Sequence, residues 1–246
     1  MTHSAAHDYL AQLTNLLVQV EADLSESLET AAQIVADVFA NDGLLHIFGT
    51  GHSHVLALEL FYRAGGFANV NPILIPDLML HVSASASSTA ERETLDAQHI
   101  IASHAISSQD ALLVISNSGG NQVTLDLARA SKEVGVRVIA LTSINHATSP
   151  LARSDSDKLH SVADVVLDNH GEVGDAVTHI EGATVAMGPT STVIGAAIVN
   201  ALAIRVAEIL VATGHAPQVF TSANLAGGDA ANASLIAKFS HRVAAL

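Results

Sequence analysis

The chain has 246 residues, of which 49% are hydrophobic and 14% are charged, so it is long and apolar enough to bury a hydrophobic core. Ten basic residues against 24 acidic ones give a formal charge of −14, which argues against nucleic acid and anionic membranes as partners. The absence of cysteine excludes disulfides and thiolate metal sites. Neither a signal peptide nor an apolar run long enough to span a membrane is evident, so we expect a cytoplasmic protein.

The predicted elements alternate between helix and strand along most of the chain. Apolar residues spaced by three and four predict helix over residues 7–40, as a helix pair or as one long helix packed on another subunit. Short apolar runs then predict strands, and helical patterns separate them. The strands are predicted at 44–48, 72–75, 111–115, 136–141 and 163–167, and the intervening helices at 53–64, 89–105 and 121–134.

The pattern changes towards the end of the chain. A polar, glycine-rich stretch at 169–189 leads into a predicted helix at 190–212, and a loop and a helix at 229–244 follow. Unbroken apolar strands that alternate with helices are typical of a parallel sheet covered on both faces. The sequence therefore predicts a three-layer α/β fold with helical additions at both ends. Its parts are a helical segment at 1–40, the sheet domain at 41–213, and a loop and helix at 214–246 that complete the site or a dimer.

Two predicted strand–helix junctions are rich in small and hydroxyl residues. Residues 49–53 read Gly-Thr-Gly-His-Ser, and residues 116–121 read Ser-Asn-Ser-Gly-Gly-Asn. Glycine allows the backbone to approach a ligand closely, and a helix N-terminus offers free N–H groups and a partial positive charge. Ordinary tight turns with capping serines are the alternative interpretation. Two such loops at neighbouring strand ends favour a phosphate site that needs no cationic side chain.

The sequence resembles the SIS (sugar isomerase) domain superfamily over roughly residues 30–230. The resemblance rests on residues 48–53, on residues 115–121 and on the Gly-Pro-Thr-Ser-Thr segment at 188–192. A Gly-His-Ser-His to Phe-Tyr-Arg-Ala-Gly-Gly pattern that ends at Gly66 is most similar to the small sugar-isomerase-domain proteins. More distantly, the chain resembles arabinose 5-phosphate isomerase, phosphoheptose isomerase and N-acetylmuramic acid 6-phosphate etherase. The resemblance implies a flavodoxin-like sheet of five parallel strands, and a homodimer or homotetramer with sites near the subunit interface.

By the same resemblance, the ligand is a phosphorylated sugar that contacts the two loops and the start of the predicted helix at 190–212. Asn121 departs from the serine or threonine of many relatives, but its amide can still donate a hydrogen bond. No metal or cofactor is predicted. The candidate binding residues are Gly51, His52, Ser53, His54, Ser116, Asn117, Ser118, Gly119, Gly120, Asn121, Ser191, Thr192 and Asn224.

A sugar isomerase needs a carboxylate or an imidazole that moves a proton between the two carbons at the reacting end of its substrate. Glu181 is the first candidate, because arabinose 5-phosphate isomerases carry a glutamate at a matching distance before the same helix; a solvated loop carboxylate is the alternative. Glu59 is a second candidate, and an ion pair with Arg63 at i+4 is its alternative interpretation. Glu91 could interact only with a helix dipole, although the etherase branch has a catalytic glutamate in a comparable region. His81, beyond the second strand, is a candidate acid.

The leading hypothesis is an enzyme that interconverts aldose and ketose phosphates through an enediolate, with Glu181 moving the proton. Asn224 stands where the arabinose type carries a catalytic histidine, and an amide cannot exchange a proton near neutral pH. Either another residue, such as His81 or His54, takes that role, or the reaction differs, and two alternatives to isomerisation stay open. One is β-elimination, as in the etherases, with Glu59 or Glu91 as the acidic group. The other is a non-catalytic phosphosugar sensor that acts through a protein partner, since the chain has no basic helix-turn-helix.

Overall fold

Five strands form a sheet at the centre of the computed structural model, which describes residues 4–153 and 157–246. They are β1 (Leu45–Gly49), β2 (Val70–Ile73), β3 (Ala111–Ile115), β4 (Arg137–Thr142) and β5 (Val165–Asp168). The strands lie in the order β2-β1-β3-β4-β5, and each pair of neighbours is parallel. The predicted α/β fold with five parallel strands is confirmed.

Helices cover both faces of this sheet, because successive strand residues point to opposite sides. Ile47 and Leu113 pack on one face with residues of α2, α3 and α9, whereas Leu112 and Val114 pack on the other face with residues of α5 and α6. The helices are α1 (Ala5–Asp23), α2 (Ser25–Ala40), α3 (His54–Leu60), α4 (Ala84–Ala90), α5 (Ala97–Ser103), α6 (Gln122–Glu133), α7 (Ile144–Thr148), α8 (Leu159–Val162), α9 (Ser191–Ala212) and α10 (Gly228–Phe239).

The 22-residue α9 is long and apolar enough to cross a membrane by length and composition alone. It packs against α2 and α3 and buries Ile194, Ile198 and Leu202 in the core on that face of the sheet. This packing is that of a core helix in a folded domain.

Several predicted helix boundaries differ from the structure. Residues 7–40 fall in the helix pair α1 and α2. The single helix predicted at 89–105 is wrong, because α4 ends at Ala90 and a segment at 91–96 separates it from α5. The Asp96 carboxylate caps α5 by accepting a hydrogen bond from the His99 amide at 3.0 Å. The helix predicted at 53–64 ends at Leu60, since the next residue has an extended backbone.

An antiparallel hairpin interrupts the glycine-rich stretch at 169–189, where the sequence predicted no strand. Its strands are β6 (Ala176–Thr178) and β7 (Met187–Pro189), and residues 179–186 form its far end. The Tyr9 hydroxyl on α1 donates a hydrogen bond to the Pro189 carbonyl at 2.7 Å. The hairpin therefore packs on the N-terminal helix.

The C-terminal segment packs at the amino edge of the sheet, where the parallel strands begin. The Ala68 amide, just before β2, donates to the Gln218 carbonyl at 2.8 Å. Phe239 of α10 packs with Leu44, which directly precedes β1. Within one chain, this segment lies at the edge opposite to the predicted loops, and its role in a dimer stays a prediction.

A buried charge lies at the same amino edge. The fully buried Asp110 side chain accepts hydrogen bonds from the Leu44 amide and from Arg242 Nη2, both at 2.8 Å, and His46 Nε2 lies 3.6 Å from it. Burial alone would raise the pKa of Asp110, but His46, Leu44 and Arg242 outweigh it and hold this pKa far below its ordinary value. Asp110 is therefore ionised, and it fixes Arg242, in the C-terminal segment, to the sheet.

Candidate functional site

The segments singled out in the sequence meet at the carboxyl edge of the sheet, where parallel strands end and α/β proteins commonly bind ligands. Ser53 follows β1, Asn117 follows β3, and Ser191 and Thr192 begin α9. These residues line one small cleft together with Asn169, which follows β5. Sequence reasoning missed Asn169, because a single polar residue after a strand carries no distinctive pattern.

The second loop, residues 116–121, has a fixed backbone. Ser116 Oγ accepts a hydrogen bond from the Gly119 amide at 3.2 Å, and the Ser143 amide donates to the Asn117 carbonyl at 3.1 Å. Gly119 has a φ of 63°, and a β-carbon there would lie 3.1 Å from Thr142 Oγ1. Only glycine meets both conditions without strain. The loop ends at Asn121, the residue before α6, so the helix N-terminus faces the loop.

A cavity of about 220 Å³ lies over this second loop and contains three of the ten basic residues of the chain. Among the residues that the structure describes, no acidic side chain lines it. A β-carbon on Gly120 would lie 3.0 Å from Lys158 Nζ, so this ammonium reaches the loop backbone. Arg92 and Arg153 make no ion pair with any residue in the ranges 4–153 and 157–246. The cavity is lined by Arg92, Ser118, Gly120, Asn121, Gln122, Ala152, Arg153 and Lys158.

The sequence analysis, which expected a phosphate site that needs no cationic side chain, did not predict these cations. Arg92 comes from the segment after α4, whereas Arg153 and Lys158 come from the segment before α8. Their separation along the chain leaves no basic motif. Folding alone brings them to the loop.

Glu91 lies at the first loop, residues 49–53. Thr50 Oγ1 donates a hydrogen bond to Glu91 Oε2 at 2.9 Å, and a β-carbon on Gly51 would lie 3.8 Å from the same oxygen. The interpretation of Glu91 as a first-turn partner of a helix dipole is wrong, because α4 ends at Ala90. Glu91 and Arg92 are consecutive, so this short segment reaches both loops.

Histidines surround the first loop. His54 is buried and donates a hydrogen bond from Nδ1 to the Gly51 carbonyl. The centroid of its ring lies 5.8 Å from that of the exposed His81. His52 is also exposed. Within the described part of the chain, no group of three or more histidines and carboxylates is arranged to hold a metal ion.

Comparison with known proteins identifies the family. Residues 8–143 match the SIS domain. The chain is also 38% identical over 238 residues to a UPF0309 protein of Listeria monocytogenes serotype 4b, with 96% of each chain covered. The chain belongs to the SIS domain family. The family assignment agrees with the loops and the sheet described above.

Solved structures of similar fold support the same architecture for this SIS domain protein. A phosphoheptose isomerase from Francisella tularensis matches with a TM-score of 0.54 and 17% identity, over 82% of this chain and 96% of that one. A phosphoheptose isomerase from Neisseria gonorrhoeae matches with a TM-score of 0.51 and 19% identity, over 82% and 97%. At these identities the likeness concerns the fold alone.

The N-terminus of α9 in this SIS domain already holds an anion from the chain itself. Ser191 Oγ donates to Asp175 Oδ2 at 2.6 Å, and the Ser191 and Thr190 amides donate to Asp175 Oδ1 at 2.8 and 3.0 Å. A phosphate ligand that binds the Ser191 amide and hydroxyl would have to displace the Asp175 carboxylate. The sequence did not single out Asp175, because its contact with Ser191 depends on the β6–β7 hairpin, which was not predicted. Burial lowers the pKa of the neighbouring His146, with opposite contributions from Asp175 and Lys158.

Three of the predicted site residues are not brought to the loops within one chain. Glu59 pairs with Arg63, as its alternative interpretation held, and also accepts a hydrogen bond from Asn200 Nδ2 at 2.8 Å. Glu181 is exposed at the far end of the β6–β7 hairpin. Asn224 is exposed in the C-terminal segment, in the loop before α10. Of the three glutamates predicted as catalytic candidates, Glu91 is the one that the structure brings to the first loop within one chain.

Proposed function

We propose that this SIS domain protein binds a phosphorylated sugar at the carboxyl edge and isomerises it between aldose and ketose through an enediolate. The observation that carries the proposal is the juxtaposition of a cationic cavity with a carboxylate one residue away, at Arg92 and Glu91. One end of the ligand would occupy the cavity over the second loop. The other end would meet Glu91 at the first loop.

Charge and geometry support phosphate as the group in the cavity. Arg92 and Arg153 offer planar guanidinium groups, which bind phosphate through paired hydrogen bonds. Gly120 leaves the backbone accessible, and the N-terminus of α6 adds a partial positive charge. A chain with a formal charge of −14 attracts anions poorly overall, so local cations are needed to hold one.

Glu91 would move the proton. The hydrogen bond from Thr50 Oγ1 holds the Glu91 carboxyl group in one orientation at the first loop. It would take the proton from the carbon beside the carbonyl and return it to the neighbouring carbon. His54 and His81 lie on the same loop side and are candidates to hydrogen-bond the sugar oxygens. The names of the two similar solved structures, both phosphoheptose isomerases, support this reaction class.

Proton exchange with solvent tests the reaction directly. The wild-type protein is incubated in D₂O with aldose phosphates of five to seven carbons, and ¹H NMR follows the proton beside the carbonyl. We expect deuterium uptake at that carbon together with formation of the ketose phosphate. Glu91→Gln should slow the exchange by about 100-fold or more, since general base catalysis contributes factors of that size.

Glu93→Gln is the matched control, because Glu93 is an exposed carboxylate in the same segment. It should leave the exchange rate unchanged. Two results would overturn the isomerase proposal. Loss of a β-substituent without formation of a ketose would identify an eliminating lyase, and tight binding of a sugar phosphate without any exchange would identify a sensor.

A further inference from the structure

The segment at 91–96 carries both Glu91 and Arg92, yet it belongs to neither helix beside it. Its far end is held at one backbone position. The Leu95 amide donates a hydrogen bond to Asp126 Oδ2 at 3.0 Å, and the half-buried Leu95 side chain packs against the core on that face of the sheet. This contact joins the segment to α6, which begins directly after the second loop.

The second oxygen of Asp126 faces the cavity wall. Asp126 Oδ1 accepts a hydrogen bond from Gln122 Nε2 at 2.6 Å, one helical turn earlier. Gln122 lines the cationic cavity beside Asn121. The Asp126 carboxylate therefore connects Gln122, in the cavity wall, with the segment at 91–96. That segment carries Glu91 at the first loop and Arg92 in the cavity.

We propose that Asp126 is a positioning residue that holds Glu91 and Arg92 across the two loops during turnover. The inference rests on the proposed function, because it assumes that Glu91 moves a proton. Asp126 itself touches neither the cavity nor the first loop. Without the Asp126 carboxylate the segment would lose its hydrogen bond to α6 at the Leu95 amide, and a displacement of about 1 Å at a reacting group can cost about 100-fold in rate.

The test separates the rate of the chemical step from binding. In Asp126→Ala we expect kcat to fall about 10- to 100-fold, because Glu91 is no longer held in place. We expect the dissociation constant for inorganic phosphate to change less than about threefold, well short of the tenfold expected for removal of a guanidinium, because Arg92 keeps its charge and its long side chain beside the cavity and Arg153, Lys158 and the start of α6 remain. Asp126→Asn keeps one acceptor oxygen and should recover part of the lost rate.

Asp37→Ala is the matched control. Asp37 on the exposed face of α2 accepts from Gln33 Nε2 at 2.7 Å with the same i,i+4 spacing, far from the cavity. It should leave kcat and phosphate binding unchanged. Equal kcat values for the Asp126→Ala and Asp37→Ala proteins would overturn the positioning role. Loss of rate with an equal loss of phosphate affinity would also overturn it, since that pattern indicates damage to the cavity as a whole.

A readout that does not need turnover keeps this inference separate from the proposed function. Amide hydrogen exchange of the peptide covering residues 91–96 should become at least about tenfold faster in Asp126→Ala and stay unchanged in Asp37→Ala. Absence of turnover in the wild-type protein would contradict the proposed function alone. Unchanged amide exchange in the Asp126→Ala protein would contradict the claim that Asp126 holds the segment at 91–96 in place.

Discussion

The two edges of the sheet treat charge in opposite ways. At the amino edge, the fully buried Asp110 is matched inside the chain by Arg242, His46 and the Leu44 amide. At the carboxyl edge, Arg92 and Arg153 have no ion-pair partner in the part of the chain that the structure describes. The amino edge pairs its own buried carboxylate, whereas the carboxyl edge leaves the Arg92 and Arg153 guanidinium groups without an ion pair among the described residues.

This difference separates charges that hold the fold together from charges that serve a ligand. A buried carboxylate is tolerated only when it is paired and hydrogen-bonded, so the contacts of Asp110 are part of folding. Unpaired guanidinium groups beside a glycine loop contribute little to folding, and like charges that converge on one cavity repel each other. Their convergence in a chain with few basic residues is what the proposed anionic ligand would require.

The largest expected effect is at the amino edge. Arg242→Met would leave Asp110 buried without its cation, which should lower the free energy of unfolding by about 3–5 kcal/mol. Denaturant unfolding at pH 7 measures this loss. Arg205→Met is the control, because Arg205 pairs with Glu29 at the solvent-exposed surface and its loss should cost far less stability. Similar losses in the two variants would show that Asp110 does not depend on Arg242.

The next effect is expected at the carboxyl edge and should appear in binding. Arg92→Met combined with Arg153→Met should weaken binding of inorganic phosphate by about tenfold for each guanidinium removed, since each loses charged hydrogen bonds. Isothermal titration calorimetry measures the affinity. Denaturant unfolding should show that the free energy of unfolding changes by no more than about 0.5 kcal/mol. Arg137→Met is the control, because Arg137 is exposed and faces Asp164 away from the cavity. Unchanged phosphate affinity in the double variant would contradict the assignment of the cavity.

A smaller effect is expected from the second loop itself. Gly119→Ala should destabilise the fold by about 1–2 kcal/mol, because a side chain at positive φ is strained and its β-carbon would press on Thr142. It should also weaken phosphate binding. Gly174 has a similar positive φ of 86° with nothing within 4 Å of its β-carbon position. Gly174→Ala should therefore cost stability without any loss of phosphate affinity, and equal affinities in the two variants would argue against the loop as the binding element.

The smallest effect is a pH dependence at the amino edge. The lowered pKa of Asp110 means that its stabilising contribution is fully present above the ordinary aspartate pKa of about 3.9 and is lost as pH falls towards the lower folded value. The difference in unfolding free energy between wild type and Asp110→Asn should thus shrink by about 0.7 kcal/mol between pH 6 and pH 3.5. Denaturant unfolding at both pH values measures it. A difference that grows on acidification would mean that the folded pKa is raised.

The sheet and its loops could be predicted from the sequence because their signals are local. An apolar run such as residues 111–115 predicts a buried strand, and the Ser-Asn-Ser-Gly-Gly-Asn segment after it predicts a loop that opens a helix. The positive φ of Gly119 is a conformation that this glycine makes accessible. These features need no knowledge of distant parts of the chain.

The cavity could not be predicted, and Glu91 was only one of four catalytic candidates, because the positions of both depend on where distant segments meet. Arg92, Arg153 and Lys158 share no spacing along the chain. Glu91 was assigned to the start of a helix, whereas α4 ends just before it and turns it onto Thr50. Glu181 matched a family pattern by its distance from α9, but an unpredicted hairpin carries it to the far end of β6 and β7.

The location of phosphate on the protein tests the central claim most directly. Uniformly ¹⁵N-labelled protein is titrated with inorganic phosphate, and the backbone amide shifts are followed by NMR. The account predicts saturable shifts centred on Ser118, Gly120, Asn121 and Arg92, with no shift at Asp110 or Arg242. Shifts centred on Ser191 and the start of α9, or spread over the surface without saturation, would contradict it.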